Sequence, residues 1–143
     1  MTRKCYIFNM HKEFQNIKLE DLETVASFLK ALTIKFFVLY KRTCVIFLEG
    51  ELGAGKTTLT KELGKTLGIT EDIISPTFVL RKDYSNLIHV DGYRFERAEE
   101  GKDLYLEREL EGEQKILIIE WPERFVRAIS LEPDIVVEIK ALD

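Results

Sequence analysis

Apolar residues recur three and four positions apart through Leu22, Val25, Leu29, Leu32, Phe36 and Leu39. That spacing marks one face of a helix and predicts a single long helix from about Leu19 to Lys41. Lys30 and Lys35 fall off the stripe, on a solvated face. Phe37, Val38 and Tyr40 crowd its last turn with further apolar groups, which predicts burial there or a break into a loop. The pattern then changes. Cys44-Val45-Ile46-Phe47-Leu48 is a continuous β-rich run that ends at Glu49. Leu59, Leu63 and Leu67 restore helical spacing over Lys56 to Leu67, and Gly68 follows as a C-cap. Gly64 lies inside that helix, where it costs about 1 kcal/mol relative to Ala unless close packing needs it.

Extended runs dominate the rest. Cys5 to Asn9 predicts a short first strand. Ser75-Pro76-Thr77-Phe78 reads as a turn entering a strand. Phe78 to Tyr84 and Leu87 to Tyr93, joined at Ser85-Asn86, predict an antiparallel hairpin. Arg97 to Glu111 is charged with intermittent Leu, which predicts a loop and one or two helical turns. Lys115 to Glu120 carries Ile-Leu-Ile-Ile without alternation, as a strand covered on both faces does. Arg124 to Ile129 predicts a short helix and Ile135 to Ile139 a last strand.

Gly50-Glu51-Leu52-Gly53-Ala54-Gly55-Lys56-Thr57 lies between the Cys44 strand and the Lys56 helix and fits G-x-x-x-x-G-K-[ST] at every specified position. The glycines let the loop curl so that successive N–H groups face an anion, at a helix N-terminus that favours one. Lys56 would meet the β- and γ-phosphates of a nucleotide, and the Thr57 hydroxyl would bind Mg²⁺. These elements predict an α/β chain: a P-loop NTPase-like three-layer α/β/α domain over residues 1–143, with a mostly parallel central sheet and an antiparallel hairpin.

Composition narrows the partners. Charged residues are 32% and apolar ones 45% of 143 residues, an ordinary soluble balance. The net charge of −4 comes from 21 basic and 25 acidic residues, and no basic tail or stripe points to direct nucleic-acid contact. Cys5 and Cys44 form no CxxC pair, and a reducing cytoplasm is expected. Met1-Thr2-Arg3-Lys4 is followed by no signal-peptide core, and Phe36 to Tyr40 is far too short to span a bilayer.

Hydrolysis needs acids near the phosphates. Glu120 ends the Ile-Leu-Ile-Ile strand, where a parallel sheet places ligands, and is the expected second Mg²⁺ ligand. Leu87, His89 and Asp91 share one strand face, so Asp91 is expected to orient water, while His89 reads first as a structural residue. Thr77 is a metal-side hydroxyl or a strand cap, and Trp121 a neighbour of the nucleotide or packing for Pro122. Arg94, Arg108, Arg124 and Arg127 are surface charges by default, and nothing singles out one as an arginine finger. The absence of Asn-Lys-x-Asp favours adenine over guanine.

Four segments in order, GELGAGKTT (Gly50–Thr58), SPTF (Ser75–Phe78), HVDGYR (His89–Arg94) and EWPER (Glu120–Arg124), resemble the TsaE family, also called YjeE. The resemblance runs from about Leu19 to Ile139. It implies a bacterial ATPase needed for threonylcarbamoyl modification of adenosine 37 in tRNA. It implies ATP at Gly53, Ala54, Gly55, Lys56, Thr57 and Thr58, beginning from Gly50, with Mg²⁺ on Thr57 and Glu120. It implies that hydrolysis needs Asp91, that Trp121 lies near the nucleotide, and that Asp21 borders it. Its partner would be the TsaD–TsaB heterodimer, which performs the transfer; tRNA would be met only through that complex. The chain departs from the family at Thr33 to Arg42, longer and more apolar than usual, at Glu51 for Asp, and at Glu132-Pro133-Asp134 for Leu-Pro-Asp. The apolar excess is core or a partner-facing patch. The alternatives are a small P-loop kinase of a metabolite and a nucleotide-dependent switch or scaffold that does not hydrolyse.

Overall fold

A computed structural model describes residues 2–74 and 80–142. Among the described residues seven strands form one mixed sheet: β1 (Arg3–Ile7), β2 (Lys12–Ile17), β3 (Cys44–Glu49), β4 (Arg81–Tyr84), β5 (Leu87–Asp91), β6 (Ile116–Glu120) and β7 (Ile135–Ala141). Their order is β2-β1-β7-β3-β6-β5-β4. The middle is parallel, β3 pairing β6 and β7, and β5 pairing β6. Both flanks are antiparallel, through β1–β2, β1–β7 and β4–β5. The expected hairpin is present as β4 and β5; the Ser75-Pro76-Thr77-Phe78 turn lies outside the described residues.

Two helices, α1 (Leu22–Tyr40) and α2 (Lys56–Thr66), cover one face. Leu22, Val25, Ala26 and Leu29 of α1 meet Leu59 and Leu63 of α2 over Ile46, Leu48, Ile118 and Val137. Alternation sends Val45, Phe47, Ile88, Val90, Leu117 and Ile119 to the other face, under Phe95, Leu106, Phe125 and Leu131. That outer layer is made of short 3₁₀ turns among the described residues, at 98–104, 106–111, 122–124 and 126–128. Intermittent Leu among many charges supplies too few apolar positions per turn to bury a regular helix.

Two elements differ from the expected ones, the first helix and one strand. The first helix starts as a 3₁₀ turn at Leu19–Asp21, and α1 proper starts at Leu22. Its apolar stripe does not stay buried to the end: Leu39 is largely exposed. The strand β2 (KEFQNI) is not announced by the sequence, because its polar pattern carries no period-two apolar face. It is held as an edge strand, with the Phe14 ring edge-on to Phe28 of α1 at 5.6 Å.

Register brings the candidate residues together. Leu48 lies level with Glu120, and Asp91 level with Glu120 on the other side. The carboxyl ends of β3, β5 and β6 therefore meet where the chain leaves β3 for the glycine-rich loop.

Candidate functional site

The loop between β3 and α2 borders a cleft of about 250 Å³ lined by Gly53, Gly55, Lys56, Thr57 and Thr58. Asp91, Glu120, Trp121, Tyr93, Arg3, Leu19 and Leu52 complete it. Gly55 is the N-cap of α2 at φ 117°. An L-residue rarely adopts that angle, and a Cβ there would lie 3.3 Å from Arg3 Nε and 3.2 Å from Leu22. The first amides of α2 have no intrahelical acceptor and point to this side.

Lys56 is not the freely solvated side chain that a surface loop suggests. It is 5% exposed. Its ammonium donates to the carbonyls of Gly50 and, at 3.2 Å, Glu51. It also sits 4.1 Å from the centre of the Trp121 ring. Burial pulls the Lys56 ammonium below the usual lysine range, opposed by the charges of Glu120 and Asp91. The cation is turned back on its own loop, held by two carbonyl dipoles and the face of the Trp121 ring.

The Thr57 hydroxyl donates to Glu120, 3.0 Å from Oε2 and 3.2 Å from Oε1. Glu120 is almost fully buried, and His89 Nε2 lies 2.5 Å from its Oε2. The carboxylate accepts there, so the imidazole proton sits on Nε2. His89 Nδ1 is buried with no partner among the described residues. His89 therefore serves the site from behind, as a support for Glu120. Asp91 Oδ1 accepts the Tyr93 N–H at 2.9 Å. Burial raises the Asp91 carboxyl above its ordinary value, that bond opposes the rise, and the nearby Glu120 adds to it.

Trp121 holds a left-handed backbone (φ 56°) at the end of β6, an uncommon conformation for a bulky residue. It turns the indole over Lys56 and against Tyr93, 5.1 Å away. Arg124 stacks over both rings, at 5.3 Å from Tyr93 and 5.4 Å from Trp121. Arg108 lies over Tyr105, and Arg127 donates to the Glu123 carbonyl. Of these three arginines, Arg124 stands next to the cleft.

Not every expected residue reaches the cleft. Asp21 does not line it: its carboxylate accepts the Lys18 N–H at 3.2 Å, and Leu19 holds that rim instead. Gly50 borders an adjoining groove, and Ala54 is buried with its carbonyl accepting Arg3 Nε–H at 2.5 Å. Arg3 itself escaped sequence reasoning. Its signal was its phase: Arg3, Cys5 and Ile7 share the inward face of β1, and a charge at an inward position needs a partner. Thr77 lies outside the described residues.

A family model for "Threonylcarbamoyl adenosine biosynthesis protein TsaE" matches residues 7–143. The chain belongs to the TsaE family. It is 52% identical over 87 residues to the tRNA threonylcarbamoyladenosine biosynthesis protein TsaE of Nostoc sp., covering 56% of this chain and 53% of that one. The Bacillus subtilis TsaE is 46% identical over 81 residues, 54% of this chain and 49% of the relative. Against these two the chain spans about half of the relative's length. The Rickettsia bellii TsaE is 35% identical over 130 residues, 87% of this chain and 85% of its own. The crystal structure of YdiB from Bacillus subtilis superposes with a TM-score of 0.62 at 27% identity, covering all of this chain and 81% of that one. The expected α/β fold with a parallel sheet centre thus holds at the level of the family. No helix among the described residues is long and apolar enough to cross a membrane.

Proposed function

We propose that this TsaE-family chain binds ATP with Mg²⁺ and hydrolyses it as the nucleotide-driven component of the machinery that makes threonylcarbamoyladenosine at position 37 of tRNA. Its partner is the TsaD–TsaB heterodimer, in the cytoplasm; tRNA is met only through that assembly. One observation carries the reading: Lys56, Thr57, Glu120 and Asp91 converge at the carboxyl ends of β3, β5 and β6, at the N-terminus of α2.

The residues suit the ligands. Thr57 and Glu120 offer a hydroxyl and a carboxylate, the hard oxygen donors Mg²⁺ takes when most of its shell is water and phosphate. Glycine at the N-cap leaves room for an anion where a Cβ would crowd Leu22 and Arg3. Mg²⁺, when bound, neutralises charge on the phosphate oxygens. Lys56 exchanges its loop carbonyls for phosphate, a stronger acceptor for an ammonium. His89 holds Glu120 in place. Asp91 accepts a proton from, and so orients, the attacking water. The raised affinity of Asp91 for a proton suits that task. Trp121 and Tyr93 wall the cleft against bulk solvent.

The test is reconstitution of tRNA modification with and without this protein, with ATP consumption followed in parallel. Modification should depend on the chain and on ATP turnover. Lys56→Ala and Thr57→Ala should each abolish the heat of Mg-ATP binding without unfolding the chain, Thr57→Ala with a lowered midpoint because Glu120 loses a donor. Glu120→Ala should keep partner binding and lose turnover. No calorimetric heat from Mg-ATP, even with the partners present, would refute the proposal.

A further inference from the structure

The last two turns of α1 break the rule that a surface helix is apolar on one side only. Val38 is 70% exposed, Leu39 72% and Tyr40 60%, and Ile34 is half exposed on the preceding turn. Part of this surface forms a groove of about 270 Å³ between α1, the β1–β2 turn and the start of β7. Leu32, Phe36, Leu39 and Tyr40 form one wall, and Phe8 and Met10 the other. The groove lies beside the first residues of β7, at the opposite end of the parallel strands from the phosphate loop. An occupant there leaves the cleft open.

Charge selects the occupant. Between Glu23 and Glu49 the chain carries Lys30, Lys35, Lys41 and Arg42 and no acidic residue, in a protein whose net charge is −4. Lys35 stands on the groove wall. Asp134, at the groove's end, is neutralised by a bidentate pair with Arg42, at 2.8 and 3.0 Å. The surface is therefore apolar with a cationic rim. A second copy joined by a two-fold axis through the groove would set one cationic rim against the other. An anionic bilayer offers a plane to a concave site.

We propose that this groove docks an amphipathic helical segment of a partner protein, with apolar anchors three and four residues apart and Asp or Glu beside them. Apolar anchors fill the space between Leu39 and Met10, and the acidic flank faces Lys35. The docking does not depend on nucleotide in the cleft.

The probe is a fluorescein-labelled synthetic helix of about 18 residues with a Leu stripe and Glu flanks, beside its twin with Lys flanks, titrated against the full chain by anisotropy. The Glu-flanked peptide should bind at least about tenfold more tightly, and salt should narrow the gap. Leu39→Gln, at an exposed site, should melt like the parent and weaken binding about tenfold. Lys35→Glu should reduce or reverse the charge preference. Equal binding of the two peptides, or none, overturns the proposal. So does self-association in sedimentation that Leu39→Gln abolishes, or cosedimentation with phosphatidylglycerol vesicles that Leu39→Gln abolishes.

Discussion

Glu120 is shared by three groups: Thr57 in front, His89 behind and Asp91 alongside on the next strand. Its burial means that removing a partner leaves a carboxylate short of donors, which costs about 1–3 kcal/mol. His89→Ala should therefore lower unfolding stability by about 2 kcal/mol or more, since it also opens space in a filled interior. Urea unfolding measures this, and an unchanged midpoint would remove His89 as the support of Glu120. Asp91 behaves in the opposite sense. Its folded carboxyl holds a proton more tightly than the unfolded chain does. The stability from that proton is complete below the ordinary value of 3.8 and is lost as pH rises through the folded value. At neutral pH the ionised Asp91 thus costs stability. Asp91→Asn keeps an acceptor for the Tyr93 N–H and should raise Tm at pH 7 by about 2 °C, a gain that fades towards acid. Parallel melts from pH 7 downward check the sign. The cysteines are chemically quiet: burial pushes Cys44 up to about 12 and Cys5 up to about 11. Neither should react with a disulfide reagent at pH 8 until the chain unfolds.

Among the elements, α2 shows why a poor helix former was placed in a helix. A Cβ on Gly64 would lie 2.2 Å from Ile73 Cδ1. Ile73 is buried beneath that helix and belongs to the same core as Leu59 and Leu63. Gly64→Ala gains about 1 kcal/mol in propensity and loses about 1–3 kcal/mol to overpacking. A net destabilisation is expected, and Gly64→Ala with Ile73→Val should recover most of it; urea titration of the two variants decides. The helix could be read from Leu59, Leu63 and Leu67, but the need for glycine could not, because Ile73 is nine residues away and meets it only in the fold. The same limit applies to α1. Its stripe from Leu22 to Phe36 predicts the buried side, whereas the exposure of Leu39 depends on where the sheet stops beneath the helix. For β2, the hydrogen-bonding edge of β1 decides the strand, and no alternation in KEFQNI announces it.

Across the whole molecule, protection should follow the sheet from its centre outwards. The strands β3, β5 and β6 are buried on both faces and bonded on both edges. β2 is an edge strand with no buried residue. Amide exchange should be slowest in β3 and β6 and fastest, among the strands, in β2, because local opening there exposes little apolar surface. Exchange of β2 as slow as β3 would contradict this layering. The chain's own order of residues determined the helices, the central strands and the phosphate-loop motif, because spacing and backbone freedom are local properties. It also placed His89 and Asp91 on one face, since alternation along a strand is local too. Pairing was decided only by tertiary structure. The register of β6 on β3 and of β5 on β6 sets Glu120 between Thr57 and His89, β1 carries Arg3 under the loop, and Asp21 stays outside the cleft. Such contacts join residues as far apart as Thr57 and Glu120, 63 positions, and their energies depend on which strand edges meet, a matter no short window of sequence contains.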